Sequence, residues 1–207
     1  MPFVTFEGVE GSGKTTQLRL TLAKLKKSGL RAIQTREPGG TRIGEILRGL
    51  VLKSRKSPLD PIAEWLIFEA DRRQHVAEVL KPALTRGQFI LCDRYSDATE
   101  AYQQVGRGID AKLVQIVDSL ARDGLVPDLT LVYDVDPAIG LKRTRRRDGT
   151  ITGRFEGAEL AFHIAVRNAY LAIATREPER VRVIDASRQP RPVFEDTWRR
   201  LSERFSL

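Results

Sequence analysis

Eight consecutive residues, Gly8-Val9-Glu10-Gly11-Ser12-Gly13-Lys14-Thr15, have the spacing G-x-x-x-x-G-K-[ST] of a phosphate-binding loop. Glycines at those positions let successive backbone N–H groups turn toward one anion, and the helix that follows adds positive potential at its N-terminus. Lys14 is placed to neutralise β- and γ-phosphate oxygens, and Thr15 to offer a hydroxyl to Mg²⁺. The whole loop, with Thr16 behind it, reads as an ATP site. A second signal is Cys92-Asp93-Arg94-Tyr95, which follows the apolar run Phe89-Ile90-Leu91. A carboxylate at the end of a strand, beside a phosphate loop, is where such proteins organise magnesium, so Asp93 joins Thr15 as a metal residue. Arg94 can grip a second phosphate, which points to a phosphorylated acceptor.

These residues need a scaffold that brings strand ends together. Apolar, β-rich runs occur at 3–6, 32–34, 88–92, 129–133 and 181–184, separated by stretches of helical periodicity at 14–27, 42–53, 61–85, 111–122, 137–146, 158–175 and 192–205. Such alternation predicts a parallel sheet with helices on both faces and ligands beyond the carboxyl ends of the strands. At 207 residues the length favours one domain over 1–207.

No apolar run approaches the roughly 20 residues of a membrane helix. The first residues read as a strand rather than a signal peptide, so a cytoplasmic location is expected. Cys92, the single cysteine, excludes an internal disulfide or thiolate cluster and reads as a buried strand residue. The net charge of +8 suits phosphorylated ligands, and no aromatic interleaving suggests a nucleic-acid stacking surface. Neither a nucleic acid nor a membrane is expected as a partner.

With the two motifs placed, the chain resembles thymidylate kinases of the bacterial kind almost end to end. Thr35-Arg36-Glu37-Pro38-Gly39-Gly40-Thr41 is similar to that family's acceptor-side loop, Leu66-Ile67-Phe68-Glu69-Ala70-Asp71-Arg72 to its base-recognition helix, and Asp93-Arg94-Tyr95 through Ala101-Tyr102-Gln103 to its second signature. The resemblance implies a three-layer, nucleoside-monophosphate-kinase-like fold with a five-stranded parallel sheet and a short lid. It also implies transfer of the γ-phosphoryl group of Mg-ATP to dTMP for dTTP synthesis. Phe68 would then stack on thymine and Arg72 read its carbonyl edge. Glu37, Arg48 and Arg94 would organise the acceptor phosphate beside Pro38, Glu10 would approach the deoxyribose hydroxyl, and Thr99, Tyr102 and Gln103 would complete the wall. A homodimer packed through helices is implied as well.

The family's lid corresponds to about 143–157, where Arg143 opens a run of basic residues that reaches Arg147, with Arg154 beyond Gly153. Gly11 stands where some relatives carry an arginine, so positive charge for the transferring group must come from elsewhere. Arg147 and Arg154 are the leading donors, with Arg143 behind them. Ala98, Gln104 and Gly153 depart from the residues usual in the family. His75 and His163 match no catalytic position and read as structural. The rival readings are a kinase for another nucleoside monophosphate or a deoxynucleoside and, in a different class, a P-loop ATPase switch that would need none of the acceptor-side motifs.

Overall fold

The computed structural model describes residues 1–52, 59–148 and 159–207. Five strands, β1 (Phe3–Glu7), β2 (Ala32–Arg36), β3 (Phe89–Asp93), β4 (Leu129–Asp134) and β5 (Val181–Asp185), form one wholly parallel sheet in the order β2-β3-β1-β4-β5. The sheet is the one the alternation predicted, with each strand running one or two residues beyond its apolar run. Those extra residues are polar, Glu7, Thr35, Arg36, Asp93, Asp134 and Asp185, and they stand at the carboxyl ends where ligands bind.

Strand alternation divides the core between the two faces. Val4 and Phe6 belong to the cluster that contains Leu18, Leu25, Ile173 and Leu201, whereas Phe3, Ile90 and Cys92 pack with Val76, Leu80 and Ala83. Cys92 is fully buried, and burial pushes its thiol well up. Among the described residues no helix is long and apolar enough to cross a membrane.

Helix α1 (Lys14–Lys27) starts at the P-loop lysine and has both expected ends; Gly13 precedes it in the left-handed region, φ 89°. Helix α2 spans Arg42–Leu52, and the expected residue 53 lies outside the described residues. The stretch read as one helix over 61–85 is α3 (Pro61–His75), a π turn (Val76–Leu80) and α4 (Lys81–Thr85). The Lys81 N–H reaches back to the Val76 carbonyl just before Pro82, whose missing donor and bulky ring an unbroken α-helix could not accommodate.

Helix α5 (Ser96–Thr99) runs into a second π turn, Glu100–Val105, that sequence periodicity did not signal. Then come α6 (Ala111–Arg122), α7 (Pro137–Asp148), α8 (Leu160–Arg176) and α9 (Pro190–Phe205). The expected start of α8 at 158 and most of the predicted lid, 149–157, lie outside the described residues.

Candidate active site

Because β1 and β3 are neighbours in register, with Phe6 opposite Asp93, the two motifs converge at one end of the sheet. Thr15 Oγ1 donates to Asp93 Oδ2 at 2.8 Å, so the two residues expected to hold a metal present adjacent hard oxygen donors. That donor set suits Mg²⁺, which takes one or two protein oxygens and completes its shell with phosphates and water. Lys14 Nζ donates to the Gly8 and Val9 carbonyls at 3.3 Å each. Burial, reinforced by the nearby positive charge of Arg94, lowers its pKa to about 8, so an arriving polyphosphate is the counter-charge that would restore it. Glu10, Gly11, Gly13, Lys14, Thr15 and Thr16 face a cavity of about 640 Å³, while Gly8, Val9 and Ser12 are buried beneath the loop.

Arg94 follows Asp93 with φ 72°, a left-handed conformation that costs a non-glycine residue about 1–3 kcal/mol. Its amide still donates to the Phe6 carbonyl at 3.1 Å, which ties the turn to β1. The guanidinium donates from Nη2 to Glu10 Oε1 at 3.0 Å and to the Tyr102 hydroxyl at 2.9 Å, and from Nη1 to the Tyr170 hydroxyl at 3.3 Å. Among the described residues these bonds leave the Nε–H and one Nη1 hydrogen for an anionic ligand.

Glu10 also accepts from Tyr102 at 2.9 Å. Burial would raise its pKa, but Arg94, then His163 and Lys14, outweigh burial and bring it down to about 2. Behind this layer, Glu7 accepts from the Tyr95 amide at 2.6 Å and bonds the Tyr170 hydroxyl at 2.7 Å.

On the acceptor side, Glu37, Pro38, Arg48 and Phe68 line the same cavity, as do Arg72, Arg94, Thr99, Tyr102 and Gln103. Every acceptor-side residue expected from the resemblance therefore lines this cavity, with Ala98 among them. Arg48 Nη1 donates to the Pro38 carbonyl at 2.8 Å; burial, with Arg36 adding repulsion, lowers its pKa. Arg72 carries more than the resemblance implied. Only 3% exposed, it binds Glu37 at 2.9 Å through Nε, Glu69 and Asp118 at 2.9 Å through Nη1, and the Tyr95 carbonyl at 3.1 Å through Nη2. Glu37 is held a second time by His75 Nδ1 at 2.8 Å, and His75 Nε2 is hydrogen-bonded to Thr35 Oγ1 at 2.6 Å. Removing Arg72 would take the shared guanidinium from three buried carboxylates, leaving Glu37 to His75, Asp118 to Arg122 and Glu69 to the Trp65 indole N–H; breaking one buried pair costs about 3–5 kcal/mol.

The expected catalytic residues separate here. Lys14 and Arg94 line the cavity. Arg143 does not join them: its guanidinium donates to the carbonyls of Ala186 and Ser187, just after β5, at 2.9 and 3.0 Å. Two backbone acceptors beyond the carboxyl end of β5 hold it. Arg154 and the side chain of Arg147 lie outside the described residues, although Thr144 brings the preceding turn of α7 to the cavity edge. Sequence reasoning passed over Glu7 and Tyr170 and read His75 and His163 as structural. A carboxylate closing the apolar run of β1 was the one available signal among them.

Comparison with known proteins bears on this arrangement. The profile of the family described as thymidylate kinase matches residues 6–197. The chain is 50% identical over 201 residues to the thymidylate kinase of Solidesulfovibrio magneticus, covering 95% of this chain and 96% of that protein. It is 47% identical over 195 residues to the thymidylate kinase of Trichlorobacter lovleyi, covering 92% of each. The crystal structure of thymidylate kinase from Ehrlichia chaffeensis superposes with a TM-score of 0.79 at 33% identity, covering 97% of this chain and 98% of the other.

Proposed function

The chain belongs to the thymidylate kinase family, and we propose that the residues gathered in its cavity divide between them the two substrates of that family's reaction. The enzyme transfers the γ-phosphoryl group of ATP to dTMP, giving dTDP and ADP. The observation that carries the assignment of roles is that one continuous cavity runs from Lys14 and Thr15 to Phe68 and Arg72, so donor and acceptor can meet end to end.

The P-loop amides and Lys14 would cradle the β- and γ-phosphates. Thr15 and Asp93 would hold Mg²⁺, whose charge would help neutralise those oxygens when bound. On the other side, the spare N–H groups of Arg94, with Arg48, would take the acceptor phosphate. Phe68 would stack on the pyrimidine, and Glu10 would receive the deoxyribose hydroxyl. The acceptor phosphate oxygen is itself the nucleophile, so alignment and charge neutralisation serve without a general base or covalent intermediate. The remaining positive charge is assigned to Arg147 and Arg154, and all of this to one catalytic domain. ATP and dTMP as substrates support a cytoplasmic location.

Helix α3 packs against both α2 and α6, and these helices expose Ile43 and Ile46, Ile62 and Leu66, and Ile116 and Leu120. Exposed apolar side chains on neighbouring helices support a homodimer. The test of the catalytic reading is a coupled ADP-release assay with dTMP, dUMP, dCMP, dGMP and thymidine as separate acceptors. Turnover should be highest with dTMP and negligible with thymidine, which lacks the phosphate that Arg94 awaits. Equal ATP hydrolysis without any acceptor would overturn it.

A further inference from the structure

His163 stands in the first turn of α8, only 1% exposed, and neither ring nitrogen has a hydrogen-bond partner among the described residues. A buried polar group left unpaired costs about 1–3 kcal/mol, so such a placement calls for a reason. The ring lies edge-on to Phe162 at 5.5 Å between centroids, and Phe162 lies edge-on to Tyr102 at 6.0 Å. Within this aromatic packing the imidazole approaches the carboxylate of Glu10: Nδ1 is 3.3 Å from Oε2, within ion-pair distance but out of line for a hydrogen bond.

Glu10 is held in this geometry by other groups. Its Oε1 takes Arg94 and the Tyr102 hydroxyl, and Oε2 has a share of that same hydroxyl. One phenolic proton cannot satisfy both oxygens, so the carboxylate is under-bonded on the side that faces His163. A hydroxyl donor in the cavity can engage only one of the carboxylate's two oxygens well. The imidazole is then the group beside it that can hold the other oxygen.

We propose that His163 is a positioning residue for the acceptor: its Nδ1–H fixes one oxygen of Glu10 so that the other is presented to the sugar hydroxyl of dTMP. The arrangement joins three elements at one carboxylate, namely the turn after β3 through Arg94, the π turn through Tyr102 and α8 through His163. The proposal rests on the reading that Glu10 receives that hydroxyl, and the experiment separates the two.

The test compares dTMP with its 3′-deoxy analogue in the parent enzyme and in His163→Leu, His163→Asn and Glu10→Gln. Thermal melts and the KM for ATP report on folding. In His163→Leu, kcat/KM for dTMP should fall by about tenfold or more, the effect of losing a hydrogen bond to a charged group, while the 3′-deoxy analogue should be nearly unaffected. Asparagine places an amide donor close to the position of Nδ1, so His163→Asn should recover most of the preference for the hydroxyl; it also serves if the leucine variant does not fold. An equal loss on both acceptors, or no loss on either, overturns the positioning role. If Glu10→Gln erases the preference and neither His163 variant changes it, the reading of Glu10 stands and that of His163 falls. If no variant changes the preference, both fall.

Discussion

A methyl group built on Gly11 would lie 2.0 Å from the Gly140 carbonyl oxygen, and one built on Gly140 would lie 2.3 Å from the carbonyl oxygen of Glu10. The P-loop and the first turn of α7 thus meet backbone against backbone. Gly11 also has φ 70°, which disfavours any side chain there. The uncharged residue in this phosphate loop is therefore a packing requirement, and the helix that leads to the arginine-rich segment is seated directly on the loop that would bind ATP.

This contact predicts that Gly140→Ala disturbs both stability and nucleotide binding, because neither carbonyl can rotate aside as a side chain could. Overpacking of this kind costs about 1–3 kcal/mol, which for a chain of this size lowers Tm by about 2–12 °C. The KM for ATP should rise with it. Gly49→Ala in α2, where the added carbon meets nothing within 4 Å, is the control and should be neutral or slightly stabilising. Identical melting curves and ATP kinetics for Gly140→Ala and the parent would refute the contact.

Lys14→Ala should abolish transfer while the protein stays folded. Its ammonium rests only on two loop carbonyls at 3.3 Å, so its loss leaves no carboxylate stranded. The expected fall in kcat is at least about a hundredfold. Single-turnover kinetics with dTMP decide it, and near-normal turnover in a variant with an unchanged circular dichroism spectrum would rule out the P-loop assignment.

The arginines of the α7 region should separate in kinetic effect. An arginine that acts only in the transition state lowers kcat by about 10³-fold or more with little change in ATP affinity, and this is the expectation for Arg147→Ala, Arg154→Ala or both. Arg143→Ala should instead lower Tm or raise the KM for ATP, since its guanidinium is committed to the carbonyls after β5. A large loss confined to kcat in Arg143→Ala would reverse this order.

Glu7 makes stability depend on pH. Burial pushes its pKa from the ordinary 4.5 up to about 8, against the opposing pull of Arg94. The folded chain therefore holds a proton that the unfolded chain has lost between those values, and this carboxyl's contribution to stability falls as pH rises from about 4.5 to 8. Glu7→Gln keeps the shape and a donor toward Tyr170 without a titrating group. Urea midpoints should favour the variant increasingly from pH 5 to pH 8.5. A difference that stays constant across this range would mean that Glu7 is ionised in the folded protein.

The apolar face on α2, α3 and α6 predicts a dimer that charge will split. Ile116 and Leu120, 67% and 75% exposed, lie one turn apart on α6. Placing Glu at both should leave the secondary structure intact while halving the mass measured by light scattering. A parent protein that is already monomeric at micromolar concentration would eliminate the interface.

Much of the site could be read from local chemistry. The P-loop announces itself because glycine spacing and one lysine are enough to build an anion cradle, and both ends of α1 follow from Gly13, Ser28 and Gly29. Asp93 was recognisable from its position after an apolar run, since a parallel strand must deliver the residue at its end to the ligand side. The acceptor-side residues came from resemblance, and all of them line one cavity. Tertiary structure decided what those residues are bound to. Nothing local to Glu7 says what it meets; Tyr170, 163 residues away, bonds its carboxyl in the core. Arg72 became the centre of a buried ion cluster because α6 brings Asp118 to it and the loop after β2 brings Glu37. Gly11 and Gly140 touch, and His163 reaches Glu10, because β1 and β4 are sheet neighbours and α8 packs over β4 and β5. Spacing along the chain shows the chemistry that one segment can perform, whereas burial and charge compensation arise between distant segments and exist only once the sheet has assembled.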